Sequence, residues 1–360
     1  MKTREQTRRR LIAHCRRYPS LQPQDLFKYL YQSAFGCEHL LASRENAVAY
    51  IKREYDTLSQ QEYSVIEPLD GAYSRVSLSV LKNGMRAETL GCLFCRSARR
   101  EPDGKASLLE KIQVANETAM EGLLPFSASE LANALEKWRA EGYSALHHSA
   151  VFREAYHPSY RVIANTYVDF LPLLAKIDGL LLEKSSAVIA IEGGSASGKT
   201  TLAKLLEDVY GCTVLHTDDF FLRPEQRTAR RLAEVGGNMD RERFLQEILE
   251  PLHQGKPITY SPFDCSKQTL SQSVSVTPTP LTVIEGTYSM HTDLAPYYDF
   301  SVFLDIAPNY QKARILKRNT PRLAKRFFDE WIPLEKKYFE GMKAASRCDL
   351  MISITQDDLF

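Results

Sequence analysis

Nothing in this chain resembles a membrane anchor or a secretory core. No window of its 360 residues approaches eighteen uncharged apolar positions. The opening segment MKTREQTRRRLIAHCRRYPS is basic but has no apolar stretch, so a cytoplasmic location is the expectation. Cysteine is sparse. Cys15, Cys37, Cys92, Cys95, Cys212, Cys265 and Cys348 are odd in number and scattered, which argues for free thiols in a reducing compartment rather than a disulfide framework. Net charge is almost absent as well. Forty-six Lys and Arg against forty-five Asp and Glu leave no global field to hold a polyanion, and neither nucleic acid nor a membrane is an expected partner. Repeats and low-complexity tracts are also missing.

What is present exceeds one hydrophobic core. At 41.0 kDa, with 44% apolar and 25% charged residues, the chain calls for two domains of ordinary soluble composition. The pattern changes near residues 178 to 186. Residues 1 to 180 predict a mostly helical (α+β) domain, with apolar residues recurring at three and four over 4 to 17, 23 to 34, 43 to 59, 106 to 121, 127 to 140 and 160 to 176. Ser127 and Glu130 have capping-box spacing. Two short β-like runs, Tyr63 to Ile66 and Tyr73 to Leu78, interrupt these helices. Residues 184 to 360 alternate instead between apolar runs and helical stretches. The runs are Ala187 to Ile191, Cys212 to Leu215, Leu281 to Ile284, Ser301 to Ile306 and Leu350 to Ile354, and they predict an α/β fold with a parallel sheet flanked by helices.

Directly after the first of these runs comes Gly193-Gly194-Ser195-Ala196-Ser197-Gly198-Lys199-Thr200, a complete G-x-x-x-x-G-K-[ST] followed by Thr201 and a helical run. Glycines let the backbone curl so that successive N–H groups form an anion-binding nest, and the following helix adds its positive dipole end. Lys199 would reach the β- and γ-phosphates of ATP, and Thr200 the accompanying magnesium. A phosphate loop alone specifies a nucleotide, not a reaction. Two carboxylates, Asp218 and Asp219, end the second run and are followed by Phe220 and Phe221. A carboxylate there can take a proton from an attacking hydroxyl or hold the metal's water shell, while helix capping is the plainer alternative. Glu285 ends the third run, where a charge on a buried strand needs a cation or a hydroxyl to compensate it.

The pieces GGSASGKTTLAK, TDDFF with RPEQR, the PFD of TYSPFDCSKQ, VIEG and ARILKRN occur in this order. Residues 187 to 354 thereby resemble the uridine kinase and phosphoribulokinase family of P-loop kinases, with nicotinamide riboside kinases a close variant. The resemblance implies that Asp218 is the general base and that Glu285 assists at the metal and the ribose. It further implies that the segment around Phe263 and Asp264 contacts a nucleobase and that Arg314, Arg318 and Arg322 belong to a basic lid over the phosphates. Arginines at helical spacing are as readily a solvated face. The chain departs from the uridine kinase wording, with Cys265 and Lys267 after Phe263-Asp264. The reading is therefore an ATP- and magnesium-dependent kinase acting on a hydroxyl of a small molecule, first of all a nucleoside. Nicotinamide riboside, pantothenate and glycerate are alternative acceptors, a nucleotide-dependent switch is an alternative function, and a homo-oligomer is compatible with either.

Residues 1 to 180 match no motif with a known mechanism. Cys37 with Glu38 and His39, the C-x-x-C pair Cys92 and Cys95, and His147-His148 with His157 are the clusters to examine for a metal site. Isolated histidines are more often hydrogen-bonded structural residues. Tyr156 to Arg161 reads as a packed aromatic corner.

Overall fold

The computed structural model describes residues 2–37, 43–58, 65–98 and 104–354. They form two units, Met1–Lys176 and Ile177–Phe360. Among the described residues no helix is long and apolar enough to cross a membrane.

In the first unit, helices Lys2–Arg17, Pro23–Phe35, Arg44–Tyr55, Ala87–Ser97, Gly104–Met120, Ala128–Ala140 and Ala150–Tyr156 surround a three-stranded antiparallel sheet. Its strands are β1 (Ile66–Pro68), β2 (Tyr73–Ser77) and β3 (Tyr160–Ala164), in the order β1-β2-β3. Ser127 and Glu130 close the capping box at the start of Ala128–Ala140, with Glu130 N–H donating to Ser127 Oγ and Ser127 N–H to the Glu130 carboxylate. The helix expected over 160 to 176 is corrected. Tyr160-Arg161-Val162-Ile163 is β-branched and aromatic, and it pairs with β2 in the register Tyr73 to Ala164 and Ser77 to Tyr160. Helix resumes only at Asn165–Val168 and Leu171–Glu183. Of the run Tyr63 to Ile66, the first two residues lie outside the described residues and Ile66 opens β1.

The second unit contains β4 (Ala187–Gly193), β5 (Thr213–His216), β6 (Ile258–Tyr260), β7 (Phe263–Asp264), β8 (Thr269–Leu270), β9 (Val274–Val276), β10 (Leu281–Glu285), β11 (Phe300–Ile306) and β12 (Leu350–Ile354). Five of these form one parallel sheet in the order β12-β11-β4-β10-β5. This is the sheet that the apolar runs predict. Ile189, Ala190, Ile191, Val283, Ile284, Val302 and Leu304 are buried, as residues of a sheet covered on both faces must be. After β4 the chain crosses through helix Lys199–Tyr210 to the edge strand β5 and later returns to fill the gap with β10. Such a reversal opens a crevice at the carboxyl ends of the strands. There the register sets Glu285 beside Ile191 of β4 on one side and His216 of β5 on the other. Two antiparallel hairpins, β6 with β9 and β7 with β8, lie between β5 and β10 in sequence.

Candidate active site

The loop from β4 to helix Lys199–Tyr210 places Gly193, Ala196 and Gly198 at φ of 152°, 60° and 104°. Such alternation turns consecutive amides toward one hollow. Gly193 is also demanded by space, since a Cβ there would lie 2.7 Å from the carbonyl oxygen of Leu304. The Lys199 ammonium folds over the hollow, donating to Gly193 O at 2.9 Å, Gly194 O at 3.0 Å and Thr287 Oγ1 at 3.3 Å. Ser197 Oγ is buried without a hydrogen-bond partner. Thr201 continues the helix as a half-buried residue.

Three carboxylates stand nearby. Glu285 Oε1 accepts from the exposed Thr200 hydroxyl at 3.0 Å and meets His216 Nδ1 at 2.6 Å. Burial works against ionisation of Glu285, but the His216 hydrogen bond and the Lys199 charge outweigh it and hold its pKa below the ordinary value. The same hydrogen bond, with the charge of Glu285, raises His216. Asp218 and Asp219 occupy the 3-10 turn Thr217–Phe220, whose N-cap is His216, so neither aspartate caps a helix. Asp218 presents open surface although protein atoms crowd it on most sides, the situation of a residue in a recess. Crowding raises its pKa, Lys199 and His216 oppose the rise, and Glu285 and Asp219 add to it; solvent at the open side moderates the whole shift. Burial likewise raises Asp219, whose carboxylate accepts from Tyr260 OH at 3.3 Å.

Gly286 locks this cluster together. Its φ is 143°, and a Cβ would fall 1.9 Å from Thr217 Oγ1, which itself donates to Thr287 O at 3.0 Å.

Other expected residues are placed differently from one another. Phe221 is half-buried and bridges to Met239. Phe263 is buried with the Arg227 guanidinium 5.7 Å from its ring centre. The Asp264 carboxylate accepts from Ser266 N–H, Ser266 Oγ and Lys267 N–H at 2.8, 2.6 and 3.1 Å, hydrogen bonds that draw its pKa down to about 2 and commit it to its own turn. The neighbouring Cys265 thiol is raised by partial burial and by the charge of Asp218, which brings this hairpin to the carboxylate's side of the site. Arg314 is buried and donates to Ala196 O at 3.1 Å, bracing the loop's backbone. Arg318 and Arg322 are exposed, on helices Pro308–Arg318 and Pro321–Arg326.

Two acidic residues escaped the sequence reading. Glu192, the last residue before the loop, is fully buried and accepts from Gly193 N–H at 2.8 Å, Met290 N–H at 3.0 Å and Tyr338 OH at 2.9 Å. Burial pushes its carboxyl up to about 7. Glu335, on helix Ile332–Met342, accepts from Ser195 N–H at 3.0 Å and from the Ser195 hydroxyl, while Gln311 Nε2 donates to Ser195 O at 2.9 Å. Glu192 had a signal, for it ends the run AVIAIE just as Glu285 ends its own. Glu335 had none.

In the first unit, Cys37 is buried with its thiol directed at the carbonyls of Phe94 and Val162, and His39 and Glu38 lie outside the described residues. Cys92 and Cys95 sit on helix Ala87–Ser97, His148 is buried, and His147 is exposed. Among the described residues no three His, Cys, Asp or Glu side chains gather as metal ligands.

Residues 188–323 match the model of the phosphoribulokinase / uridine kinase family. That match covers 136 of the 360 residues, all of them in the second unit. The matched span opens inside β4 and runs through the phosphate loop, Asp218, Glu285 and Arg314 to Arg322. Solved structures similar to this chain include one described as a possible uridine kinase from Bacillus stearothermophilus, 23% identical with a TM-score of 0.37, spanning 47% of this chain and 89% of that one. TT1252 from Thermus thermophilus is 18% identical with a TM-score of 0.27, spanning 49% and 93%. Shikimate kinase from Bacteroides thetaiotaomicron is 14% identical with a TM-score of 0.25, spanning 46% and 85%. No curated protein matches the chain.

Proposed function

We propose that this kinase-family domain binds ATP with magnesium and transfers the γ-phosphate to a hydroxyl of a small molecule, a nucleoside first of all, with Asp218 as the general base. The observation that carries the reading is the convergence of Lys199, Thr200, Glu285 and Asp218 on one crevice at the strand ends. The donor set suits the ligands. Curled amides, an ammonium now resting on the loop's own carbonyls and an unpartnered Ser197 hydroxyl fit a polyphosphate, and the Thr200 hydroxyl with the Glu285 carboxylate are the hard oxygens magnesium takes. When bound, magnesium would neutralise charge on the β- and γ-phosphate oxygens.

The chain's own residues do the rest. Lys199 compensates phosphate charge, and His216 holds Glu285 in place through Oε1. Asp218 accepts the acceptor's hydroxyl proton as its oxygen bonds to the γ-phosphorus and the bond to the bridging oxygen breaks, releasing ADP. The nucleoside reading draws support from the aromatic hairpin around Phe263 beside Asp218. The test is ATP turnover against a panel of nucleosides, nicotinamide riboside, pantothenate and glycerate. One panel member should give rapid turnover, and Asp218→Asn should reduce it by roughly 100-fold or more with ATP affinity nearly intact. Full transfer activity in that variant would remove Asp218 from the role of base.

A further inference from the structure

Arg243 lies on helix Arg241–Phe244, and only 9% of it is exposed. Its guanidinium makes a two-pronged contact. Nη2 donates to Asp219 O at 3.0 Å, in the turn that carries Asp218, and Nη1 donates to Ser261 O at 2.8 Å, in the link between β6 and β7. The guanidinium carbon stands 4.1 Å from the centre of the Phe220 ring. Phe220 is itself buried, edge-on to Phe244 and stacked with Tyr260 of β6. Two carboxylates compensate the charge, Glu247 at 3.2 Å from Nη1 and Asp240 at 3.4 Å from Nε.

A planar guanidinium with its donors in a fixed fork defines a distance, which an ammonium on a flexible stem does not. Two main-chain carbonyls from segments far apart in sequence are thus held at one separation. A second tie runs beside the first, since Tyr260 OH donates to the Asp219 carboxylate at 3.3 Å. Asp219 is therefore bound to the β6–β7 segment by main chain and side chain alike, whereas the charges that act on Asp218 are first those of Lys199 and Glu285. The turn is also pinned to the helix of Arg243: Asp240 N–H donates to Phe220 O at 2.7 Å, and the Asp240 side chain caps that helix. What these contacts fix is the gap between the turn and the hairpin around Phe263. An acceptor must occupy that gap if Phe263 is to touch it while Asp218 takes its proton, and a misplacement of about 1 Å can cost about 100-fold in rate.

We propose that Arg243 is a positioning residue for phosphoryl transfer: it bridges Asp219 O and Ser261 O beside the Phe220 ring and so sets the separation of Asp218 from the hairpin that seats the acceptor. This role rests on the transfer reaction to which Asp218 is assigned, and it makes Asp219 the anchor of the turn and not the base.

The experiment uses the full-length protein and the acceptor that the wild type turns over fastest. Arg243→Lys keeps the charge and loses the fork. Its kcat/KM for the acceptor should fall by about ten-fold or more, while ATP affinity by calorimetry stays within about two-fold of the wild type. Arg243→Met, apolar and of similar length, takes its place should the lysine variant not fold. Cys265, exposed on the same hairpin, reports the separation without any acceptor. Partial burial and the charge of Asp218 both raise its thiol, so a loosened hairpin should be alkylated faster by iodoacetamide, as read by peptide mass spectrometry. The proposal is overturned if the variant keeps the wild-type kcat/KM for the acceptor, or if Cys265 alkylation is unchanged. It is overturned equally if ATP affinity falls by the same factor as acceptor turnover, the mark of a general loss of structure. Failure of the underlying reaction looks different: the wild type would transfer phosphate to no acceptor, or Asp218→Asn would keep full activity, and Arg243 would have no transfer to position.

Discussion

Glu192→Gln isolates a charge held where water cannot reach it. In the folded protein burial lifts this carboxyl from 4.5 to about 7, which corresponds to about 3 kcal/mol of linkage between folding and proton binding. Because the folded state binds the proton more tightly, that stability is fully present below pH 4.5 and is lost as pH rises through 7. Glutamine does not titrate. It introduces an N–H facing the amides of Gly193 or Met290, a cost of about 1–3 kcal/mol that is the same at every pH. The stability difference between wild type and variant should therefore shift by about 3 kcal/mol in the variant's favour between pH 4.5 and pH 8, closing or reversing the initial gap. Denaturant unfolding of the second unit provides the assay, followed by Trp331 fluorescence in a Trp138→Phe background so that one tryptophan reports. A gap that stays constant over that range would refute the reasoning, and would mean that the donors around Glu192 keep it ionised throughout.

Gly286→Ala should be severe. A left-handed φ costs about 1–3 kcal/mol, and a Cβ at 1.9 Å from Thr217 Oγ1 forces the turn carrying Asp218 to move, for a further ~1–3 kcal/mol. Thermal unfolding and turnover should both fall, and a fully active variant would show that the turn is not fixed by this contact. Glu335→Gln keeps an acceptor for Ser195 while removing a negative charge beside the phosphate loop. Its ATP affinity by calorimetry should rise several-fold, whereas a weaker affinity would identify the carboxylate as an organiser of the loop.

Much of the second unit was legible in the sequence because its signals are local. Apolar runs four to six residues long, too short for helices and bounded by turn residues, read as strands, and all five joined one sheet. The phosphate loop is contiguous, so its motif carries its own geometry. Glu285 was visible for the reason that Glu192 should have been, a charge at the end of a buried strand. Glu335 reaches Ser195 across 140 positions, and nothing in IPLEKKYFE marks one glutamate from the other. Helix Ala87–Ser97 was not legible in the sequence. Gly91 within it looks like a breaker, yet a Cβ there would sit 2.6 Å from Val48 Cγ2, so the glycine serves close helix packing. The strand Tyr160–Ala164 was read as helix because its pairing partner β2 lies far earlier in the chain, Tyr73 pairing with Ala164 and Ser77 with Tyr160. The buried polar network around Arg75 was invisible for the same reason, since its members, His14 and Tyr18, Asp25 and Gln32, Glu67, Arg75, His148 and Tyr160, come from six separate segments.

Equilibrium titration of ATP with and without magnesium, on wild type and on Lys199→Ala, tests the central claim most directly. The wild type should bind ATP in a magnesium-dependent manner, and losing the ammonium that crosses the loop should weaken binding roughly 10- to 100-fold. No magnesium-dependent affinity in the wild type, or equal affinity in the variant, would contradict the account.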